Sequence, residues 1–188
     1  MELCTQVEGK VWTIKGFLTP EECAEFVALS EGEGYDDAPI TTSAGFVMRP
    51  DIRNNTRVIW DDVPLAARLW ERLAPHFAMP YSGLKPVGLN ERFRFYRYDP
   101  GQRFAPHFDG SFRRENGEES RVTLILYLNE DCEGGETRIE VPVLEDPLAV
   151  RPRMGRALLF VHRLLHEGAP VTAGRKYVLR TDVMYEAR

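Results

Sequence analysis

Apolar residues recur at helical spacing in two segments near the start of the chain. The first segment begins at Thr19, an N-cap residue followed by a proline and two acids, and its apolar positions are Cys23, Phe26, Val27 and Leu29. Glycines at positions 32 and 34 end it. The second segment opens at Val63-Pro64 and stops at Pro75, and its apolar positions are Leu65, Leu69, Trp70 and Leu73. We therefore predict two helices, separated by a polar loop over 35–55 and a short strand over 57–60.

From Asn90 onward the pattern changes to that of short strands. Arg92–Tyr98 alternates aromatic and basic residues, and Arg121–Asn129 is apolar on both faces, as in a strand that is buried on two sides. Asn116-Gly117 predicts a turn within a charged loop, and Glu133-Gly134-Gly135 predicts another. Further strand-like segments are Thr137–Ile139, Arg156–Val161 and Lys176–Tyr185. Many short strands joined by such turns are typical of a mostly β fold, a barrel or jelly roll with flanking α-helices.

Length and composition bound the class of protein. The 188 residues fit a single domain, which we expect to comprise an N-terminal helical support over 1–89 and a β core over 90–188. The net charge of -5 and the lack of a basic run argue against nucleic acid as a partner. We see no signal peptide and no membrane-spanning run, and the three cysteines show no CxxC pairing. These features predict a soluble, cytoplasmic protein that does not act at a membrane.

The tripeptide His107-Phe108-Asp109 is a candidate for metal binding. Residues i and i+2 on a strand point to the same side, so His107 and Asp109 can converge on one ion. A third ligand is then available downstream from His162 or His166. Two histidines and one carboxylate leave several coordination positions open, which is the arrangement used by non-haem iron(II) oxygenases. A bare His-x-Asp is common by chance, so the flanking residues decide its meaning.

Those flanking residues resemble a known enzyme family. The stretch Tyr98–Asp109 resembles the Y-x-x-G-x-x-(F/Y)-x-P-H-x-D region of prolyl 4-hydroxylase-like 2-oxoglutarate oxygenases. The strand over 121–129 and the Gly-Gly turn over 133–137 look like the family's next elements, and Val150–Phe160 and His166–Tyr177 look like the remainder. The resemblance runs in uninterrupted order from Asn90 to Tyr185.

This resemblance implies a double-stranded β-helix and a specific set of site residues. His107, Asp109 and His166 would hold Fe(II), since His162 lacks the family's flanking residues. Lys176 would pair with the distal carboxylate of 2-oxoglutarate, and Arg180 is a rival for that contact because it shares the strand face. Tyr98 would hydrogen-bond the cosubstrate, and Tyr127 corresponds to a tyrosine that reaches the distal carboxylate in some members. The family also implies O2 as cosubstrate and ascorbate as a reductant.

The implied reaction hydroxylates an unactivated C–H bond and releases succinate and CO2. The segment Asp51–Trp60 loosely resembles a peptide-binding segment of hypoxia-sensing prolyl hydroxylases. By that analogy the substrate entrance would be lined by Arg53, Asn55 and Arg57, with Arg94 and Tyr96 opposite. Peptidyl proline in a protein fits best as the substrate. The alternatives are hydroxylation of a free amino acid or another small molecule, and a cupin-like metal hydrolase that would not need an inward-facing Lys176 or Arg180.

Overall fold

The computed structural model describes residues 1–42 and 45–187 of the chain. Its two helices lie where the pattern predicts them, α1 over Pro20–Glu33 and α2 over Val63–Leu73. Thr19 and Glu22 form a reciprocal cap of α1, in which the Glu22 amide donates to the Thr19 hydroxyl and the Thr19 amide donates to the Glu22 carboxylate. Asp62 caps α2 by accepting from the Leu65 amide at 2.8 Å. No helix of the described residues is long and apolar enough to cross a membrane.

The strands make up most of the regular structure. In chain order they are β1 (Glu2–Val7), β2 (Val11–Lys15), β3 (Asp36–Asp37), β4 (Ile40–Thr42), β5 (Gly45–Val47), β6 (Thr56–Asp61), β7 (Pro86–Leu89), β8 (Arg92–Tyr98), β9 (Phe104–His107), β10 (Glu119–Tyr127), β11 (Cys132–Gly134), β12 (Thr137–Ile139), β13 (Leu148–Val150), β14 (Ala157–Val161), β15 (His166–Gly168), β16 (Val171–Gly174) and β17 (Lys176–Tyr185).

Two antiparallel sheets enclose the site. The larger has nine strands in the order β1-β2-β14-β10-β17-β8-β6-β3, with β7 also paired to β17. The smaller has four strands in the order β13-β12-β15-β9, and β11-β16 and β4-β5 form two-stranded ribbons. Residues of both sheets line one cavity, so the sheets face each other across it. The expected jelly roll, or double-stranded β-helix, is confirmed.

Strand β8 shows how the larger sheet separates the core from the site. Its residues alternate, and Phe93 and Phe95 are fully buried on the side that faces the helices, where the Phe95 ring lies 6.1 Å from that of Phe26 in α1. Arg94, Tyr96 and Tyr98 therefore point to the opposite side, toward the smaller sheet. The helices stabilise the back of the sheet and leave its other face free for polar side chains.

Several strands were not predicted from the sequence pattern. The expected helical support over 1–89 also supplies strands β1 to β7, and the hairpin of β1 and β2 extends the larger sheet through the pairing of β2 with β14. The loop predicted over 35–55 contains β3, β4 and β5, and the turn predicted at 133–135 overlaps β11. These strands are short, with six residues at most, so local periodicity gives little signal for them. Positions 43 and 44 of that loop, and position 188, lie outside the described residues.

Candidate metal and cosubstrate site

Two histidines and one aspartate come together at the edge of the smaller sheet that β15 and β9 form. His107 ends β9 and His166 begins β15, and the two are direct partners across this strand pair, with ring centroids 4.3 Å apart. Asp109 follows β9, and its carboxylate lies 3.9 Å from Nε2 of His107 and 3.5 Å from Nε2 of His166. One ligand atom from each residue lies within 4.8 Å of the others, so a single ion could contact all three.

The backbone orients both imidazoles for metal binding. Nδ1 of His107 lies 2.8 Å from the Ala105 carbonyl, and Nδ1 of His166 lies 3.0 Å from the Leu164 carbonyl. A carbonyl oxygen can only accept, so Nδ1 carries the proton in each ring. Nε2 is thereby left with a free lone pair that faces Asp109, which is the tautomer that a metal ion requires.

The charge state of the three side chains also suits a divalent cation. Burial, and to a smaller extent the neighbouring His166, lowers the pKa of His107 to about 3. Burial also lowers the pKa of His166. Burial opposes ionisation of Asp109, but Arg180 and the two histidines together hold its pKa well below the ordinary value. Neutral imidazoles and an ionised carboxylate are the forms that ligate metals, and this donor set fits Fe(II).

Asp109 is held in place by two neighbours on the larger sheet. The Thr123 hydroxyl donates to its carboxylate at 2.5 Å, and Nη2 of Arg180 lies 3.0 Å from the other carboxylate oxygen. The same Arg180 nitrogen lies 3.0 Å from Asp182. Arg180 therefore has its charge compensated by two carboxylates. Sequence reasoning overlooked Thr123 and Asp182, although the i, i+2 alternation along β17 puts Asp182 on the same face as Arg180.

A cavity opens beside this cluster. It is lined by Tyr96, Tyr98, Phe104, His107, Asp109, Ile125, Thr137, His166, Glu167, Gly168, Lys176, Val178 and Arg180. All three predicted metal ligands border this cavity, and so do Lys176 and Arg180, the two candidate partners of the cosubstrate. The two cations at its border suit a dianion such as 2-oxoglutarate.

Lys176 is a buried cation without a counter-ion. It is 2% exposed, its ammonium donates to the Gly135 carbonyl at 2.6 Å, and no carboxylate of the described residues forms an ion pair with it. Burial lowers its pKa to about 8. An unpaired buried charge is costly, so the cavity favours an anion at this point. Of the two rivals for the distal carboxylate, Lys176 has an unmet charge and Arg180 does not.

Two tyrosines stand near Lys176. The ammonium lies 4.8 Å from the ring centroid of Tyr98, whose side chain borders the cavity. Tyr127 is fully buried, and its hydroxyl lies 2.7 Å from that of Thr137. Thr137, rather than Tyr127, borders the cavity. Burial raises the pKa of both tyrosines, so both hydroxyls stay protonated. Tyr98 can contact a bound molecule directly, whereas Tyr127 reaches it through Thr137.

The residues predicted at the substrate entrance also come together. Arg57 on β6 is the direct partner of Tyr96 on β8, and the Arg53 guanidinium lies 4.6 Å from the Tyr96 ring centroid. Nε of Arg53 donates to the Asn55 side-chain oxygen at 2.8 Å, so Asn55 orients Arg53 and is itself buried. Arg94 lies on the Tyr96 side of the same strand.

His162 stands apart from the metal cluster. Its Nε2 lies 3.5 Å from Asp182, and it borders a different cavity, on the far side of Asp109. The described residues contain one group of three potential ligands with this spacing, and it includes His166. The geometry therefore favours His166 over His162 as the third ligand.

The comparisons with known proteins agree with this geometry. The profile of the 2OG-Fe(II) oxygenase superfamily matches residues 93–181, where 2OG denotes 2-oxoglutarate. A probable prolyl 4-hydroxylase of Arabidopsis thaliana is 27% identical over 90% of this chain and 67% of its own length, and other plant relatives match over 60% to 70% of theirs.

Solved structures show the same fold. A viral collagen prolyl hydroxylase from Paramecium bursaria Chlorella virus-1, determined as its 2OG complex, has a TM-score of 0.64 at 20% identity, covering 93% of this chain and 96% of that one. A prolyl hydroxylase from Trichoplax adhaerens, in complex with a peptide fragment of hypoxia inducible factor, has a TM-score of 0.69 at 17% identity, covering 94% and 84%.

Proposed function

We propose that the chain is a prolyl 4-hydroxylase-like 2OG-Fe(II) oxygenase and that it hydroxylates peptidyl proline in a protein substrate. The reaction consumes O2 and 2-oxoglutarate and releases succinate and CO2. One observation carries the proposal. The His107, Asp109 and His166 cluster and the unpaired cation of Lys176 border the same cavity, so a metal and a dianionic cosubstrate can be held side by side.

Each side chain has a task in this scheme. His107, Asp109 and His166 hold the metal, and Thr123 and Arg180 keep the Asp109 carboxylate ionised and oriented. When bound, Fe(II) supplies the centre at which O2 and 2-oxoglutarate are used together to oxidise a C–H bond.

The cosubstrate has its own set of contacts. Lys176 binds the distal carboxylate of 2-oxoglutarate, Tyr98 donates a hydrogen bond to the cosubstrate, and Tyr127 orients the Thr137 hydroxyl toward it. The apolar side chains of Ile125 and Val178 line the same cavity and exclude water from one wall. We propose that these elements act as one catalytic domain.

A peptide substrate is supported by the relatives. The Trichoplax adhaerens structure holds a peptide fragment, and the Arabidopsis relatives carry the name prolyl 4-hydroxylase. The Arg53 to Arg57 segment and the facing residues Arg94 and Tyr96 would form the substrate entrance of this chain. A metal hydrolase on the same barrel has no use for a buried, unpaired Lys176, so the oxygenase is the better reading.

Succinate release coupled to hydroxylation tests the proposal. The full chain is incubated with Fe(II), 2-oxoglutarate, ascorbate and a library of proline-containing peptides, and each peptide is examined for the mass gain of one oxygen atom. We expect succinate in proportion to hydroxylated peptide. An analogous library in which proline is replaced by alanine is the control. Succinate formation without hydroxylation of any peptide would contradict the proposed substrate class.

A further inference from the structure

Three arginines that bind neither the metal nor the cosubstrate surround Tyr96. We call Arg53, Arg57 and Arg94 the arginine cluster. Arg57 is the direct strand partner of Tyr96, and Arg94 lies two residues before it on the same face of β8. Arg53 packs its guanidinium on the Tyr96 ring. Burial lowers the pKa of Arg57, and the positive charges of Arg53 and Arg94 lower it further. Three like charges thus share one small region of a chain whose net charge is -5.

The arginine cluster has hydrogen-bonding capacity that the described residues do not satisfy. Arg53 is 5% exposed, and its Nη2 has no partner although its Nε is taken by Asn55. Nη1 of Arg94 is also buried without a partner, because its nearest carboxylate oxygen, on Asp182, is 3.9 Å away. Neither Arg53 nor Arg57 forms an ion pair with a carboxylate of residues 1–42 and 45–187.

Burial of these positive charges destabilises the protein unless a bound anion neutralises them. Buried charges are ordinarily paired, and a buried donor without an acceptor costs free energy. Stacking on aromatic rings satisfies the faces of the Arg53 guanidinium but leaves the N–H groups at its edge free. Arg53 and Arg94 each keep one buried guanidinium nitrogen without a partner among the described residues, and arginine N–H groups are well suited to bind a carboxylate or phosphate.

The arginine cluster is close to the metal site. Arg53 lies 4.4 Å from the ring centroid of Phe104, and the Phe104 ring stacks on the His107 imidazole at 3.5 Å with an interplanar angle of 15°. Tyr96 borders the cavity directly. Lys176, the proposed partner of the cosubstrate, pairs with Tyr98 in the strand register, whereas Arg57 of the arginine cluster pairs with Tyr96. An anion at the cluster would therefore belong to the substrate.

We propose that Arg53, Arg57 and Arg94 form a carboxylate subsite, so that the substrate carries a carboxylate next to the carbon that is oxidised. This inference rests on the proposed function and narrows its substrate class to acidic proline-containing peptides. A carboxylate is the anion that a peptide carries without modification, either on a neighbouring Asp or Glu side chain or at its C-terminus. Both sources present the same planar group to the arginines.

A set of matched peptides tests the subsite. Three end-capped proline peptides carry Glu, Gln or Lys beside the proline, and a fourth has a free C-terminal carboxylate beside it. Fluorescence anisotropy of labelled versions and the KM for hydroxylation are measured on the full chain with Fe(II) and 2-oxoglutarate. We expect the KM of the Glu peptide or of the C-terminal acid to be at least about tenfold below that of the Gln peptide, and the Lys peptide to be the poorest. The carboxylate that gives the gain identifies its source.

Variants of the cluster add a second measurement. Arg57→Gln and Arg94→Gln should remove most of the preference for the acidic peptide, and Arg57→Glu should shift the preference toward the Lys peptide. Arg92→Gln is the matched control, because Arg92 lies on the same strand but is 52% exposed and already paired with Asp61. That variant should keep the preference of the wild-type chain.

The outcomes separate this inference from the proposed function. Hydroxylation of the Glu, Gln and acid peptides with equal KM values would overturn the carboxylate subsite and leave prolyl hydroxylation standing. Absence of hydroxylation of every peptide, together with absence of succinate, would be a failure of the proposed function itself. Hydroxylation of free L-proline but not of prolinamide would support the carboxylate subsite and move the substrate to free amino acids.

Discussion

Replacing Lys176 by methionine should stabilise the protein in the absence of cosubstrate. The ammonium is almost fully buried, and burial lowers its pKa from 10.5 to about 8. That difference corresponds to about 3 kcal/mol of destabilisation when the lysine is charged. The hydrogen bond to Gly135 offsets roughly 1 kcal/mol of it. Lys176→Met, which is similar in length and apolar, should therefore raise the free energy of unfolding by about 2 kcal/mol at pH 7.

The gain should depend on pH with a defined sign. Below about pH 8 the lysine is charged in both the folded and the unfolded protein, so the full penalty applies. As pH rises from about 8 to 10.5 the folded protein loses the proton first, and the wild-type chain regains the stability that it lacked. Urea unfolding at pH 7 and pH 10, with Lys85→Met as an exposed control, measures this convergence.

The same substitution should abolish tight binding of the cosubstrate. Without Lys176 the distal carboxylate of 2-oxoglutarate enters a buried place with no cation, which costs about 2 kcal/mol or more. The Kd for 2-oxoglutarate should rise roughly thirtyfold or more, as measured by isothermal titration. A variant that is less stable than wild type at pH 7, or that binds 2-oxoglutarate as tightly, would refute the reasoning that an anion completes this site.

Three further substitutions separate the roles of neighbouring residues. Arg180→Lys should change the KM for 2-oxoglutarate by less than about threefold while weakening metal binding about tenfold, since Arg180 holds Asp109 rather than the cosubstrate; a KM effect as large as that of Lys176→Met would reverse the assignment. Thr123→Val removes the hydrogen bond to Asp109 and should also weaken Co(II) binding about tenfold, with little change in the free energy of unfolding; unchanged Co(II) affinity would dismiss this contact. Gly135→Ala introduces a Cβ 3.1 Å from Cδ of Lys176, at a φ of +67° that disfavours residues other than glycine. It should therefore raise the KM for 2-oxoglutarate and lower the free energy of unfolding by about 1–2 kcal/mol. A KM equal to that of the wild-type chain would show that the Lys176 side chain moves aside without losing its function.

The candidate metal cluster was predictable because its signal is local. His107 and Asp109 are two residues apart, and the residues before them carry the family motif, so the sequence alone indicates both their chemistry and their proximity. His166 was favoured over His162 by its flanking residues, and the pairing of β15 with β9 accounts for that choice by placing His166 opposite His107. The two helices were predictable for the same reason, since their caps and apolar positions are contiguous.

The contacts around the ligands depend on register between distant strands. Thr123 on β10 contacts Asp109, which follows β9 in the other sheet, and the competition between Lys176 and Arg180 is decided by which carboxylates lie near each. A sequence shows that both cations share a strand face, but it does not show that Asp182 and Asp109 neutralise one of them. The hairpin of β1 and β2 was overlooked because β2 is buried through its pairing with β14, far along the chain, while β1 stays mostly exposed.

The most direct test of the account is the Fe(II)-dependent conversion of 2-oxoglutarate to succinate by the wild-type chain, His166→Ala and His162→Ala. His166 lies in the cluster with His107 and Asp109, whereas His162 lies outside it. We predict that His166→Ala loses succinate formation and that His162→Ala retains it, with Fe(II) content measured on the same samples. Retention of activity in His166→Ala, together with its loss in His162→Ala, would contradict the metal site described above.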